Sequence, residues 1–251
     1  MSSFEIIGNP GIGGILIVGD HASNALPSGL DLSLPREDMA QHIAWDIGVA
    51  AVAKRMVSGS KAGAGNISGI LAVYSRLLVD LNREADEAAA IPLSSDGREI
   101  PGNQISDAER QRRLERFYHP YHTKLAQLIA EHRPALLLSL HSFTPRLASK
   151  PDEKRPWEMG VLYNRDDRAA RIAIPEFSAA GFIVGDQLPY SGKDLNATMN
   201  RHGEGTATPY LGIEMRQDLV SREDDQARFA AILIKICKLV TEKLGVAGQK
   251  P

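Results

Sequence analysis

The chain has 251 residues, 43% of them hydrophobic, which is enough to bury one sizeable core. A formal charge of −2 leaves no basic surface for a polyanion, so nucleic acid is not an expected partner. The lone cysteine, Cys237, excludes a disulfide framework and a paired-cysteine metal site; any metal must be held by His, Asp or Glu.

The first residues, Met1–Glu5, lack the basic and apolar segments of a secretory leader. No apolar run approaches the roughly 20 residues needed to span a bilayer, so the simplest expectation is a cytoplasmic protein with no membrane partner. Gly14–Val18 predicts a buried strand, followed at once by Asp20 and His21. Pro27–Pro35 is rich in turn residues and reads as loop. Arg36–Met56 places Met39, Ile43, Ile47, Val49 and Val52 at helical spacing, which predicts one helix with Trp45 and Asp46 near its middle. An acid among apolar neighbours must be exposed or paired. Ser58–Gly69 predicts a loop. Ile70–Leu81 predicts a strand, irregular at Ser75–Arg76, that ends in Asp80, Asn82, Arg83 and Glu84. The polar stretch 84–104 is long for a connection and is expected to form a lid or a wall of a site.

Ser106 followed by Glu109 is a capping-box pattern. It opens a helix predicted to run to about Glu131, with a kink or break near His119 imposed by Pro120. Leu136–Phe143 is apolar at nearly every position before His141, as expected of a strand buried on both faces, and His141 and Ser142 stand at its C-terminal end. Ligands bind at that end of strands in open α/β sheets. Further on, 144–157 reads as loop, Gly160–Asn164 as strand, Ala169–Ala180 as helix, Phe182–Val184 as a short strand and Leu188–Gly192 as a turn. Asn196–His202 precedes the glycine-rich Gly203–Gly205. Tyr210–Met215 predicts a strand carrying Glu214 and followed by Arg216, and Arg222–Leu244 a long amphipathic helix with a frayed tail after Gly245. Strands alternating with helices predict an α/β fold with a mixed or parallel sheet, helices on both faces and one domain over residues 1–251.

Polar clusters stand at four predicted strand ends: Asp20–His21, Asp80–Asn82–Arg83, His141–Ser142 and Glu214–Arg216. One sheet can bring such ends to one rim. Two histidines from separate strands plus a carboxylate make the three-ligand, open-sided set of a catalytic zinc. A further glutamate can act as general base on water, and arginines on the same rim can clamp a carboxylate. The pattern describes a metal-assisted hydrolase for an anionic substrate. His42, His119, His122 and His132 fall on predicted helices without companions and read as structural or solvated. The charges of 109–116 alternate in sign and read as a solvated helix face.

The segments LSLHSF, VDLNR and IEMR resemble the third-ligand strand, the carboxylate-binding Asn–Arg pair and the catalytic-glutamate strand of the zinc carboxypeptidases. A fuller resemblance, over nearly the whole chain, is to the N-formylglutamate amidohydrolase family. There DHASN with its following LP, WDIG, SRLLVDLNR, SLHSF, PYSG with RHG after it, and IEMR recur in this order. The resemblance implies a three-layer sandwich, phosphorylase/hydrolase-like, with a mixed, mostly parallel sheet. It also implies hydrolysis of an N-acyl amide on an acidic amino acid by a zinc (or other divalent) site. Carried over by position, His21 and His141 are metal ligands, Glu214 is the general base, and Asn82 and Arg83 hold the substrate carboxylate. One position departs: Asn24 stands where the carboxypeptidase pattern has a glutamate ligand, and a neutral amide suits zinc poorly. Asp46 is the first choice for the third ligand, and Asp20 can orient an imidazole from behind. Arg76, Arg216 and His202 complete the residues expected at the substrate. A carboxypeptidase or peptidoglycan-amide hydrolase, or a binding protein that has lost its metal, are the alternatives; the oligomeric state is open.

Overall fold

The computed structural model describes residues 2–60 and 66–245. In chain order the strands are β1 (Phe4–Ile7), β2 (Ile15–Gly19), β3 (Ile67–Ala72), β4 (Ser94–Ser95), β5 (Arg98–Glu99), β6 (Leu136–Phe143), β7 (Met159–Leu162), β8 (Val184–Asp186) and β9 (Tyr210–Arg216). The α-helices are α1 (Arg36–Met39), α2 (Val49–Ser60), α3 (Asp107–Arg113), α4 (His119–His132), α5 (Arg168–Ala179), α6 (Ala197–His202) and α7 (Glu223–Lys243). Seven strands form one sheet in the order β1-β3-β2-β6-β9-β7-β8. The β2–β3, β2–β6, β6–β9 and β7–β8 pairs are parallel, whereas β1–β3 and β7–β9 are antiparallel.

The centre of the sheet is covered on both faces, which is why β2 and β6 read as almost unbroken apolar runs. Side chains alternate along a strand. Gly19 of β2 faces Val49 of α2. Leu16, an odd number of residues away, faces the other side, beside Leu128 and His132 of α4. Helices α2 and α5 both pack on α7. The result is the expected α/β three-layer sandwich with a mixed, mostly parallel sheet.

Several boundaries differ from the sequence expectation, each for a local reason. The single helix expected over Arg36–Met56 is two, α1 and α2, separated by an irregular turn. Gly48 sets the break: its φ is +88°, and a Cβ there would lie 2.6 Å from the Val220 carbonyl oxygen. The strand expected over Ile70–Leu81 is β3 and ends at Ala72. Beyond it the chain leaves the sheet, with the Ser75 amide donating to the Ala25 carbonyl and its hydroxyl to that of Ala44. The helix opened at Ser106, whose Oγ accepts from the Glu109 amide at 3.3 Å, passes through a π-helical turn at Leu114–Tyr118 before α4. Pro120, the second residue of α4, has no N–H to offer the preceding turn, and the π-helical turn stands directly ahead of it. β8 lies two residues beyond the expected start at Phe182. Helix α2 and strand β3 narrow the loop expected over Ser58–Gly69. Its residues 61–65, like the tail expected to fray after Gly245, lie outside the described residues. Edge strand β1 and the β4–β5 hairpin had no counterpart among the expected elements.

Candidate active site

The site is built at the C-terminal rim of β2, β6 and β9. Chain direction carries His21 there just past β2, and the β6–β9 pairing sets His141 directly opposite Glu214. The turn ahead of Gly48 crosses this rim, pinned by the Asp46 amide to the His21 carbonyl at 2.8 Å. Asp46 is therefore aimed between the two imidazoles rather than along a helix face. Its Oδ2 accepts from His141 Nδ1 at 2.9 Å and from the Ser142 amide at 3.2 Å, and lies 3.5 Å from His21 Nδ1.

His21, Asp46 and His141 are all buried, and each offers one ligand atom within 4.8 Å of the others. A tetrahedral zinc with bonds of about 2.0–2.1 Å separates its ligand atoms by roughly 3.3 Å, within the spread just given. Behind each imidazole stands a carboxylate, the arrangement that orients metal-binding histidines. His21 Nε2 donates to Asp80 Oδ1 at 2.7 Å, and His141 Nε2 faces Asp20 Oδ2 at 3.8 Å. Asp20 is held in turn by the Tyr121 hydroxyl at 2.6 Å. Buried atoms without a hydrogen-bond partner concentrate here: His21 Nδ1 beside Asp46, Glu214 Oε2 in the cavity lining, and His141 Nε2 and Asp20 Oδ2, which face each other behind the ring. Orphaned polar atoms of this kind call for an explanation, and an ion is one. The residues thus fit a divalent cation, with Asp46 in place of the carboxylate that position 24 lacks. Asn24 itself is turned away, its amide donating to the Met39 carbonyl.

Electrostatics follow from this crowding. Burial and the Arg76 guanidinium push the His21 imidazole down, but Asp80 and Asp46 outweigh them and hold it at about 9. His141 is likewise raised: burial opposes its charge, and the hydrogen bond to Asp46 prevails. Glu214 is pushed up to about 7, first by burial and then by Asp46, against the pull of His141 and Arg76. Asp46 and Asp80 share the Arg76 guanidinium, and the two raised imidazoles place further positive charge beside them.

A cavity of about 120 Å³ opens over this cluster. Asn82 and Arg83 line it, together with His42, Arg76, Ser142, Tyr190 and Leu195. The backbone of 81–83 is braced from below. Tyr118 Oη donates to the Arg83 carbonyl, the Thr198 amide to Asn82 Oδ1, and His122 Nε2 to the Leu81 carbonyl. Neither Asn82 Nδ2 nor the Arg83 guanidinium makes a hydrogen bond or close ion pair among the described residues, although Arg83 is near enough to Asp80 to help hold its carboxyl low.

The remaining expected residues fall elsewhere. Arg76 lines the cavity, but its guanidinium already binds Asp46 Oδ1 at 3.3 Å and Asp80 Oδ2 at 2.9 Å. Arg216 is turned to Asp218 and to the Pro156 carbonyl, outside the cavity lining. It stands at the last position of β9, where the following turn draws the side chain away. His202 is buried in α6 beneath the cavity, 2.9 Å from His122 Nδ1 and stacked on that ring. His122 is thus not without a companion.

Three lining residues, His42, Tyr190 and Leu195, went unrecognised in the sequence. His42, read as structural, precedes Asp46 by four residues, and that spacing was its signal. Burial, with Arg76 nearby, lowers it to about 4, so it is neutral. Tyr190 lies in the PYSG turn, held by Arg155 Nη1 at 2.9 Å. Its approach depends on Gly160, paired with Glu214 across the sheet, where a Cβ would stand 2.5 Å from the Leu188 carbonyl oxygen and 3.1 Å from the Glu214 Cβ.

A comparison with curated protein sequences gave no match. Among solved structures, the chain is similar to a gene product of Agrobacterium tumefaciens, with 27% identity, a TM-score of 0.88, and 98% of this chain and 97% of that one covered. It is also similar in fold to an N-formylglutamate amidohydrolase from Ralstonia eutropha, with 17% identity, a TM-score of 0.73, and coverage of 98% and 99%. The family model for N-formylglutamate amidohydrolase matches residues 13–221, which include every residue placed above around the cavity. The chain belongs to the N-formylglutamate amidohydrolase family.

Proposed function

We propose that the chain is a metal-dependent amidohydrolase that cleaves the N-acyl amide of an acidic amino acid, with N-formyl-L-glutamate as the simplest substrate. The observation that carries this reading is the convergence of His21, Asp46 and His141 beside Glu214, whose Oε2 makes no hydrogen bond, in one cavity with Arg83. Family membership supports the substrate class. A zinc or other divalent ion held by the three residues would polarise the amide carbonyl and acidify an attacking water.

Glu214 accepts the proton of that water and hands it to the leaving nitrogen. Burial, with Asp46 nearby, raises its carboxyl above the ordinary carboxylate range, which favours taking up a proton. The Arg83 guanidinium and Asn82 Nδ2 bind the substrate carboxylate and set the amide against Glu214. Arg76, bound to Asp46 and Asp80, orients those two carboxylates; His202 supports the 81–83 segment through His122.

The test is elemental analysis of the purified protein with an assay for formate release from N-formyl-L-glutamate. The wild type is expected to hold one divalent ion and to turn over. Glu214→Gln should keep the ion and lose about 10²–10⁴-fold in kcat, the range for a removed general base. A protein that binds no divalent ion and leaves a panel of N-acyl amino acids intact overturns the proposal.

A further inference from the structure

The catalytic cavity is not closed. His42, Arg76 and Tyr190 line both it and a second chamber of about 500 Å³. Asn82, Arg83 and Leu195 line the inner cavity alone. A substrate whose carboxylate is seated at Arg83 can therefore enter the outer chamber only with its opposite end, past His42, Arg76 and Tyr190. That end is the acyl group. A formyl group is about the size of one water molecule, which occupies roughly 30 Å³ in the liquid. A group of that size fills only a small part of a chamber of some 500 Å³, which is in the range of a full small-molecule site.

The chamber is built, not left over. Its wall is the β4–β5 hairpin, clasped to the 144–150 loop by Asp96, whose carboxylate accepts from the Ala148 amide at 2.7 Å and the Ser149 amide at 2.9 Å and bonds the Ser149 hydroxyl. Its lining interleaves Ile43, Ile47 and Leu147 with the hydrogen-bonding side chains of Gln41, Ser95 and Gln217. A plain alkyl chain would strip water from those polar groups and return no hydrogen bonds. A chain with its own peptide groups satisfies both kinds of wall.

We infer that the outer chamber is an acyl subsite and that the preferred substrates carry a peptidyl group, rather than formyl, on the nitrogen of the acidic amino acid. This rests on the amidohydrolase reading above. In the reaction one water is consumed: the C–N bond breaks, the acyl carbon takes the hydroxyl to become a peptidyl carboxylate, and the nitrogen takes a proton to leave as the free amino acid. No further reactant is needed.

The experiment compares N-formyl-, N-acetyl-, N-hexanoyl- and N-acetylalanyl-L-glutamate on the zinc-loaded protein, by turnover and by calorimetric titration. It uses wild type and two chamber-filling variants, Leu147→Trp and Ala148→Trp, both on the loop and away from the catalytic cluster. The wild type should favour the peptidyl compound over the formyl one by about 10-fold or more in kcat/KM, and either variant should erase that preference while leaving the formyl compound within about twofold. A wild type that favours formyl, or hexanoyl over peptidyl, overturns the inference, as does a variant that lowers all compounds alike. If no compound is cleaved, the amidohydrolase reading fails. Calorimetry then judges the chamber by itself: equal affinity for the formyl and peptidyl compounds in all three proteins sinks it, and tighter peptidyl binding lost in the variants upholds it.

Discussion

Stripped of metal by a chelator, the protein should lose stability as pH rises from 6.5 to 9. His21 is the cause. Its folded value, about 9, lies above its ordinary 6.5 because Asp80 and Asp46 overcome burial and Arg76. Between those pH values the folded state holds a proton that the unfolded state has released. The stabilisation is fully present below pH 6.5 and disappears as pH climbs through 9. The gap between 6.5 and about 9, at about 1.4 kcal/mol per pH unit, is ~3 kcal/mol, and His21 is 2% exposed, so solvent screening removes little of it. His141 shifts in the same direction and adds to the slope. Glu214 also binds extra protons when folded, but its window runs from 4.5 to about 7 and is largely spent before this one opens. The assay is urea unfolding in chelator at half-unit pH steps. Zinc should reverse the trend, since binding displaces ligand protons and strengthens as they leave. Asp80→Asn removes a charge that holds the proton and should flatten the metal-free slope. Metal-free stability that is constant or rising from pH 6.5 to 9 refutes the reasoning.

Two other substitutions probe the scaffold and the substrate end of the cavity. Gly48→Ala places a side chain at φ +88° and 2.6 Å from the Val220 carbonyl oxygen, so it should cost about 2–4 kcal/mol in urea unfolding and weaken zinc binding by displacing Asp46. A loss under about 0.5 kcal/mol would show that the turn does not depend on this glycine. Arg83→Ala should raise KM for N-formyl-L-glutamate about 10–100-fold with kcat within a few-fold, and Arg83→Lys should recover part of the loss. An unchanged KM would remove Arg83 from carboxylate binding.

The segments that carry the family pattern were legible because each is local. Apolar runs at Ile15–Gly19 and Leu136–Phe143 announce buried strands, and the polar residues at their ends stand out against them. The order of such runs, alternating with helical spacing, was enough for a mixed or parallel sheet with helices on both faces, and the short motifs at the strand ends were enough for the family. The boundary errors have a different origin. Met39, Ile43, Ile47, Val49 and Val52 keep helical spacing across a stretch that is not one helix, because Gly48 is bent by contact with Val220, over 170 residues away in sequence. The same bend takes Asp46 out of any helical face and sets it between His21 and His141.

Sequence alone therefore determined the central strands β2, β6 and β9, the residue types at their ends and the family, since these depend on neighbours along the chain. Tertiary structure decided which of those ends meet. Arg216 and Glu214 alternate identically on β9, yet one turns to Asp218 and the other stays beside His141. His202 pairs with a histidine 80 residues before it, and His42 comes to the cavity because the turn around Asp46 crosses the rim of the sheet. The physical reason is the same throughout: a side chain's period along its own element says which way it points, but its partner is chosen by which distant backbone is packed against that face.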